Sequence, residues 1–360
     1  MADFPKNRPL MGCTPLYPPL ELVHAAGFHP LVLWELSGLV KGTTESDRHL
    51  QNYSCSVARH LAEYVFSERG RELSGFLFYN ACDTLRNLPE VLERGLKEQG
   101  RALPRFRLHV PAARPGSGYS RDYLAREITR LADELGKASG SGFSEAKFRE
   151  SVELYRKLRK ALLDLETEAG RGALSFADYQ EFALAVLRIP VEEAALLAGS
   201  KLEALRKSPS GKPGPRIMVS GILAPPAPLV RAMEAAGLRV CANDLASLHR
   251  SLAYTPEPFA GPAEYYLDFY QNHFPCPTLL PTADQRLGAL LSLAREREIK
   301  GVVFAGEKFC EYEFFEYPWL EKRLNQEGIK TLVLELAIGD EAWGALRTRI
   351  EAFAEILARG

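Results

Sequence analysis

The feature that most narrows the fold is an alternation, present at both ends of the chain, of short continuous apolar runs with helix-length periodic segments. Pro30-Leu-Val-Leu-Trp34, Gly75-Phe-Leu-Phe-Tyr79 and Phe106-Arg-Leu-His-Val110 read as strands, with helices at 20–26, 54–66 and 88–98. Runs with no polar face, separated by helices, predict a mostly parallel sheet covered on both sides. The pattern resumes with Arg216-Ile-Met-Val-Ser220, Leu238-Arg-Val-Cys241, Gly301-Val-Val-Phe304 and Lys330-Thr-Leu-Val-Leu334. Helices are expected there at 228–236, 263–272, 283–298, 318–327 and 341–358. From 120 to 206 the periodicity is helical throughout, with starts at Ser120, Ser144 and Ser175 and an apolar stripe of Leu154, Leu158, Ala161, Leu162 and Leu165. A Ser/Gly/Pro/Lys stretch, Lys207 to Pro215, closes that region. The expectation is an α/β protein of two similar lobes, with mostly parallel sheets flanked by helices, joined through a helical region. Its parts are 1–118, 119–210 and 211–360.

The two α/β regions also match in detail. Pro19-Leu-Glu-Leu-Val-His-Ala-Ala-Gly27 parallels Pro228-Leu-Val-Arg-Ala-Met-Glu-Ala-Ala-Gly237, with one inserted residue. Gly75-Phe-Leu-Phe-Tyr-Asn-Ala-Cys82 parallels Gly301-Val-Val-Phe-Ala-Gly-Glu-Lys-Phe-Cys310; each is followed by Asp or Glu, a later proline, and a helix ending at Gly100 or Gly328. Cys55 and Cys276 precede these cysteines at comparable distances. Duplication of one unit is the simplest source of such order. Ligands of open α/β sheets bind beyond the carboxyl ends of strands, so facing lobes would bring Cys82 and Cys310 into one cleft.

Composition excludes several classes. The 45 basic and 46 acidic residues nearly cancel and form no basic stripe, so nucleic acid is not an expected partner. No apolar run is long enough for a membrane helix, and the start lacks the apolar core of a secretory signal, so the cytoplasm is the expected compartment. Six cysteines in that compartment are thiols, ligands or packing residues rather than disulfides. No Cys-x-x-Cys pair occurs, which argues against a structural zinc site. No glycine-rich phosphate loop occurs either, so this chain is not expected to bind a nucleotide itself. A cysteine after a buried strand is either a packed thiol or a ligand. Iron–sulfur clusters need only thiolates converging in a shielded pocket, not thiolates clustered in sequence.

At these residues the sequence resembles the 2-hydroxyacyl-CoA dehydratase and benzoyl-CoA reductase family over nearly its whole length. The landmarks are Pro19 to Gly27, Cys55 opening a helix, Cys82-Asp-Thr-x-Arg, Pro275-Cys-Pro277, Arg286, and Lys308-Phe-Cys310 before Pro318. The resemblance implies that Cys55, Cys82 and Cys310 ligate an oxygen-sensitive [4Fe–4S] cluster with one iron left open, with Cys276 as a further ligand candidate. It implies pairing with a related subunit, as a heterodimer or homodimer, and a separate ATP-hydrolysing iron–sulfur activator that supplies one low-potential electron. The implied reaction is a lyase reaction, elimination of water from a 2-hydroxyacyl-CoA through a ketyl radical to a 2-enoyl-CoA. The alternatives are an oxidoreductase subunit reducing an aromatic acyl-CoA, a double-cubane cluster protein, and an electron-relay subunit without its own chemistry. The chain departs from the family where two acidic residues, Leu-Cys and then Thr-Gly-x-Arg are usual; here the segment reads Asn243-Asp-Leu-Ala-Ser-Leu-His-Arg250.

Around the cysteines, Ser54 is a candidate hydrogen-bond donor to a cluster sulfur, and Asp83 a candidate support of the Cys82 loop or cap of the next helix. Arg86 and Arg286 would contact acyl-CoA phosphates or pair with carboxylates. Glu21 is expected at the surface, Cys13 in a loop and Cys241 in a buried strand. His24, His49, His249 and His273 lack metal-like spacing.

Overall fold

The computed structural model describes residues 7–34, 39–111, 118–209, 211, 213–279, 283–339 and 343–359. Its first lobe runs β1 (Leu10–Cys13), α1 (Leu20–Ala25), β2 (His29–Val32), α2 (Ser56–Phe66), β3 (Leu73–Tyr79), α3 (Asp83–Glu98) and β4 (Arg105–Leu108). Four helices follow: α4 (Gly118–Ala138), α5 (Glu145–Arg171), α6 (Phe176–Val186) and α7 (Val191–Leu205). The second lobe runs β5 (Arg216–Gly221), α8 (Ala227–Ala235), β6 (Arg239–Leu245), α9 (His249–Leu252), α10 (Pro262–Asn272) and α11 (Ala283–Glu296). It ends with β7 (Gly301–Glu307), α12 (Glu311–Gln326), β8 (Lys330–Leu336) and α13 (Gly344–Arg359).

Each lobe holds one four-stranded, fully parallel sheet, ordered β2-β1-β3-β4 in the first and β6-β5-β7-β8 in the second. The identical order is the structural form of the internal repeat. In both, the chain steps outward through one helix and then returns across the first strand to build the other side. The carboxyl ends of β1 and β3, and of β5 and β7, therefore flank a point where the connections diverge, and a crevice opens there. The central strands are apolar along their length because both faces are covered: every residue of β7 is buried. α1 and α8 end at matching glycines, Gly27 and Gly237, both with positive φ, which closes the turn into β2 and β6.

Sequence periodicity misses β1, and the structure moves Cys13 from the expected loop to a strand end. Leu10-Met-Gly-Cys13 is only four residues long and has no β-branched residue, yet it is a central strand with Cys13 buried at its end. Two helix starts also differ. The helices expected at 88 and 318 begin at Asp83 and Glu311, so that Pro89 and Pro318 lie inside them.

The helical region ties the lobes together. α5 starts at Ser144, whose hydroxyl accepts the backbone N–H of Lys147. Its Phe148 and Val152 enter the first lobe's core, whereas Leu158, Leu162 and Leu165 enter the second's. α10 does the converse: its Tyr265, Tyr266, Phe269 and Tyr270 fill the first lobe's core although the helix lies beyond residue 211. Here Glu21 is corrected from surface to core. Its carboxylate accepts from Tyr265 and Tyr266, both at 2.8 Å, and pairs with Arg159 of α5 at 2.6 Å. Burial alone would raise the Glu21 pKa, but Arg159 and the two hydroxyls hold it below the usual value. A carboxylate so placed locks α1, α5 and α10 in one register.

His273, at the end of α10, gives a pH signature. Its Nδ1 donates to the Phe274 carbonyl at 2.7 Å, and its ring packs on Tyr17 and Phe269. Burial pushes its pKa down to about 3, so the folded chain keeps it neutral. The unfolded chain takes up that proton below pH ~6.5, so stability present above that pH is lost as pH falls toward the folded value, by at most ~1.4 kcal/mol per unit. His273→Phe is expected to flatten the acid limb of stability between those pH values in urea titrations; an unchanged slope would contradict it. His249 has the opposite sign. Burial opposes its charge, but Glu166 at 2.9 Å raises its pKa, so its contribution is present at low pH and lost as pH rises through the folded value.

Candidate functional site

The six cysteines divide by exposure. Cys13, Cys241 and Cys276 are buried, whereas Cys55, Cys82 and Cys310 are half-buried. These three also share a position, since each is the residue that caps a helix: Cys55 for α2, Cys82 for α3 and Cys310 for α12. Unpaired N–H groups of a first helical turn favour negative charge on a neighbouring sulfur. The Cys82 sulfur accepts from the Leu85 N–H at 3.4 Å. Cys55 faces the N–H groups of Ala58 and Val57, and Cys310 that of Glu313.

The three thiols lie within one another's electrostatic reach. Burial first, and then the Glu307 charge, pushes Cys55 up to about 12, with Cys82 adding to the shift. Cys310 is raised by burial, then by Glu313, then by Cys55 and Cys82. Cys82 is raised chiefly by burial. Without a cation the sulfurs are held as thiols, so loading a metal group here must release protons. Among the described residues no three His, Cys, Asp or Glu side chains close around a single ion. Three soft donors reaching in from separate helix ends suit a multi-iron cluster that spans a wider gap.

Cys55 belongs to the first lobe and Cys310 to the second, and one strut joins them. Glu307, at the end of β7, accepts the Ser56 N–H at 2.8 Å and the Ser56 hydroxyl at 2.6 Å. The same hydroxyl accepts the Ile338 N–H at 2.7 Å. Ser56→Ala removes one of those bonds to a buried carboxylate and leaves the Ile338 amide unpaired, a loss of about 1–3 kcal/mol. Chemical denaturation should show that drop, and a change under ~0.5 kcal/mol would mean the strut is not formed.

Glu313 sits beneath Cys310 and is equally enclosed. It accepts from Ile222 N–H at 2.7 Å, Glu307 N–H at 2.8 Å and the Tyr317 hydroxyl at 2.5 Å. Phe309, just before Cys310, has a positive φ of 66° and an exposed ring, a backbone state that bulky residues rarely adopt. Tyr53, beside the Cys55 turn, and Phe315, on α12, are exposed as well.

The remaining expected residues fall as follows. The helix cap assigned to Asp83 is Cys82 instead; Asp83 is the first helical residue, exposed and paired with Arg86 at 3.1 Å. Ser54 is half-buried, with its N–H on the Gln51 carbonyl at 3.0 Å. Cys276 is buried, with Arg250 at 3.4 Å and Thr278 at 3.4 Å. Tyr79 feels the charges of both Cys276 and Cys82 and so stands near each. Arg286 pairs with a carboxylate, Asp244, in the segment that departs from the family pattern. Arg250 grips the same carboxylate with Nε and Nη2, both at 2.9 Å, and Ser220 donates to it at 2.7 Å. Arg286 Nη1 also reaches it at 2.9 Å, and Glu316 partners Arg286 Nε at 3.3 Å. Burial would raise the Asp244 pKa, but the two guanidinium groups hold it well below the carboxylate range. Sequence inspection missed Ser56, Glu307, Asp244 and Arg250 as site residues. The only local signal was a serine directly after a cysteine and a glutamate ending a strand.

A duplicated pair of parallel α/β lobes with three thiols at helix starts along the interlobe face defines a class of two-lobed cysteine-site proteins. Within it, the chain belongs to the 2-hydroxyglutaryl-CoA dehydratase D-component family, whose sequence profile matches residues 15–357. It is 26% identical to the (R)-phenyllactyl-CoA dehydratase beta subunit of Clostridium sporogenes, over 96% of this chain and 91% of that one. It is also 26% identical to a benzoyl-CoA reductase subunit of Thauera aromatica, over 97% and 91%. The (R)-2-hydroxyglutaryl-CoA dehydratase beta subunit of Acidaminococcus fermentans is 25% identical, over 98% and 93%.

Proposed function

We propose that this chain is the iron–sulfur subunit of a 2-hydroxyacyl-CoA dehydratase, with Cys55, Cys82 and Cys310 as the ligands of a [4Fe–4S] cluster. The observation that carries this is the placement of the three half-buried cysteines at three helix starts, within mutual electrostatic reach. Such a cluster, when bound, supplies single low-potential electrons for removing hydroxide from an activated acyl thioester. The chain's own residues do the rest. First-turn N–H groups stabilise the charge on the ligating sulfurs, and the Ser56–Glu307 strut fixes the distance between Cys55 and Cys310. Cys276 is assigned to the Arg250 and Thr278 contacts in the core rather than to the cluster. Ser54 and Asp83 flank two of the ligands and are neighbours of the cluster rather than ligands.

The working unit is a pair with a related subunit, as the beta-subunit names of the dehydratase relatives suggest, and it needs an ATP-hydrolysing activator. No helix among the described residues is long and apolar enough to cross a membrane, and a cytoplasmic, anaerobic setting fits this chemistry. Reduction of an aromatic acyl-CoA is the second reading, favoured by the equal similarity to the benzoyl-CoA reductase relative. Purified anaerobically with its native partner and activator, the chain should convert a 2-hydroxyacyl-CoA to a 2-enoyl-CoA only when ATP is present. Turnover confined to an aromatic acyl-CoA would establish the second reading instead.

A further inference from the structure

We propose that the crevice at the carboxyl ends of β5 and β7 binds a slender aliphatic ligand carrying an amide N–H. The second lobe's strand order places a topological switch point between these strands, the place where parallel α/β sheets admit ligands. In the first lobe the corresponding place is filled: Tyr17, after β1, and Tyr79, the last residue of β3, both meet Cys276, and Tyr79 also meets Thr278. In the second lobe it is a cavity of about 410 Å3, within the range of small-ligand sites. Its walls are Leu184 of α6, Leu223 and Ala224 after β5, Ala305 of β7, and Leu336 and Ile338 at the end of β8.

One polar group in that lining is unspent. Gln180 of α6 is 2% exposed, and its Nε2 donates to the Pro225 carbonyl at 2.7 Å. A carbonyl can only accept, so the amide orientation is fixed and Oε1 is left as an acceptor with no partner. A buried acceptor without a donor is costly, and a ligand N–H would satisfy it. Charge at the border is mixed, since Arg188 lines the cavity along with Glu307 and Glu181 is paired with Arg231, so the choice of ligand rests on Gln180 Oε1, an acceptor that takes an amide N–H and repels a carboxylate. Glu307 and Ile338 both bond Ser56, so an occupant would touch two residues that hold the neighbour of Cys55. An amide-bearing aliphatic chain has two sources: the pantetheine arm of a coenzyme thioester, and a free aliphatic amide. The site itself does not depend on the cluster assignment; only the choice of pantetheine as a probe rests on the proposed function.

The test is calorimetric titration of the full chain with pantetheine, hexanamide and hexanoate, on the native sequence, Gln180→Leu and Ala185→Trp. Ala185 is an exposed position of α6 in the cavity lining, so tryptophan there should block entry without disturbing the fold. Expected are saturable binding of at least one amide, none of hexanoate, about tenfold weaker binding in Gln180→Leu, and loss of binding in Ala185→Trp. Pantetheine binding alone identifies the coenzyme arm, and equal binding of hexanamide identifies simple amides. No saturable binding of either amide, equal affinity in both variants, or hexanoate binding as tight as hexanamide would overturn the proposal. Should thermal melts show Gln180→Leu unfolded, Ala185→Trp decides alone. Iron content is unaffected by these outcomes, so a failure here is distinct from failure of the cluster assignment.

Discussion

Asp244→Asn is expected to destabilise the chain by about 3–5 kcal/mol, the usual cost of removing one partner from a buried ion pair. Asp244 is 0% exposed, and its two oxygens receive four guanidinium N–H groups and the Ser220 hydroxyl. Asparagine keeps the shape but offers one acceptor oxygen and turns an NH2 toward a cationic donor. It also takes from Arg250 and Arg286 the one carboxylate that both grip, although Glu316 still pairs with Arg286 at 3.3 Å. The pH dependence follows with a definite sign. Because the folded pKa is depressed, the aspartate's contribution is present above the unfolded value of ~3.9 and is lost as pH falls below it. The variant should therefore be weakened at neutral pH and should lack that part of the acid-side slope. Replacing all three charged residues with apolar ones of similar volume should restore much of the stability, since the desolvation cost goes with the charges. A loss below ~1 kcal/mol in Asp244→Asn would show that the two arginines are not held by this carboxylate.

The strands were legible where burial on both faces demands apolar residues in sequence, as in Phe76-Leu-Phe-Tyr79 and Gly301-Val-Val-Phe304. Duplication was legible for the same reason: equivalent positions in two lobes need equivalent residues, from Gly27 and Gly237 to Cys82 and Cys310. β1 escaped because four residues with a glycine carry too little pattern to be told from a loop. The helices after Cys82 and Cys310 were placed too late because Pro89 and Pro318 look like starts, whereas the cysteines themselves are the caps. Glu21 was misplaced because a carboxylate after two prolines carries no mark of the arginine and two tyrosines that reach it from α5 and α10. The tie between Cys55 and the other two cysteines was beyond local pattern altogether. It runs through Ser56 and Glu307, 251 positions apart, and is made only when the lobes meet.

Loss of the proposed cluster on replacing any one of Cys55, Cys82 and Cys310 is the other large expected effect. If the three half-buried cysteines are its ligands, removal of one leaves two thiolates for a group that needs three or four. Cys55→Ala, Cys82→Ala and Cys310→Ala should each fall from about four irons and four sulfides per chain to near none under strict anaerobiosis. Cys13→Ala, Cys241→Ala and Cys276→Ala should keep the full complement, because those thiols are buried in the core. About eight irons in the native chain would indicate a double cubane. Iron and sulfide analysis of the native chain and these six variants is the most direct measurement. About four irons, lost with each half-buried cysteine and retained with each buried one, is the expected result; no iron in the native chain, or iron indifferent to Cys82, would contradict the assignment.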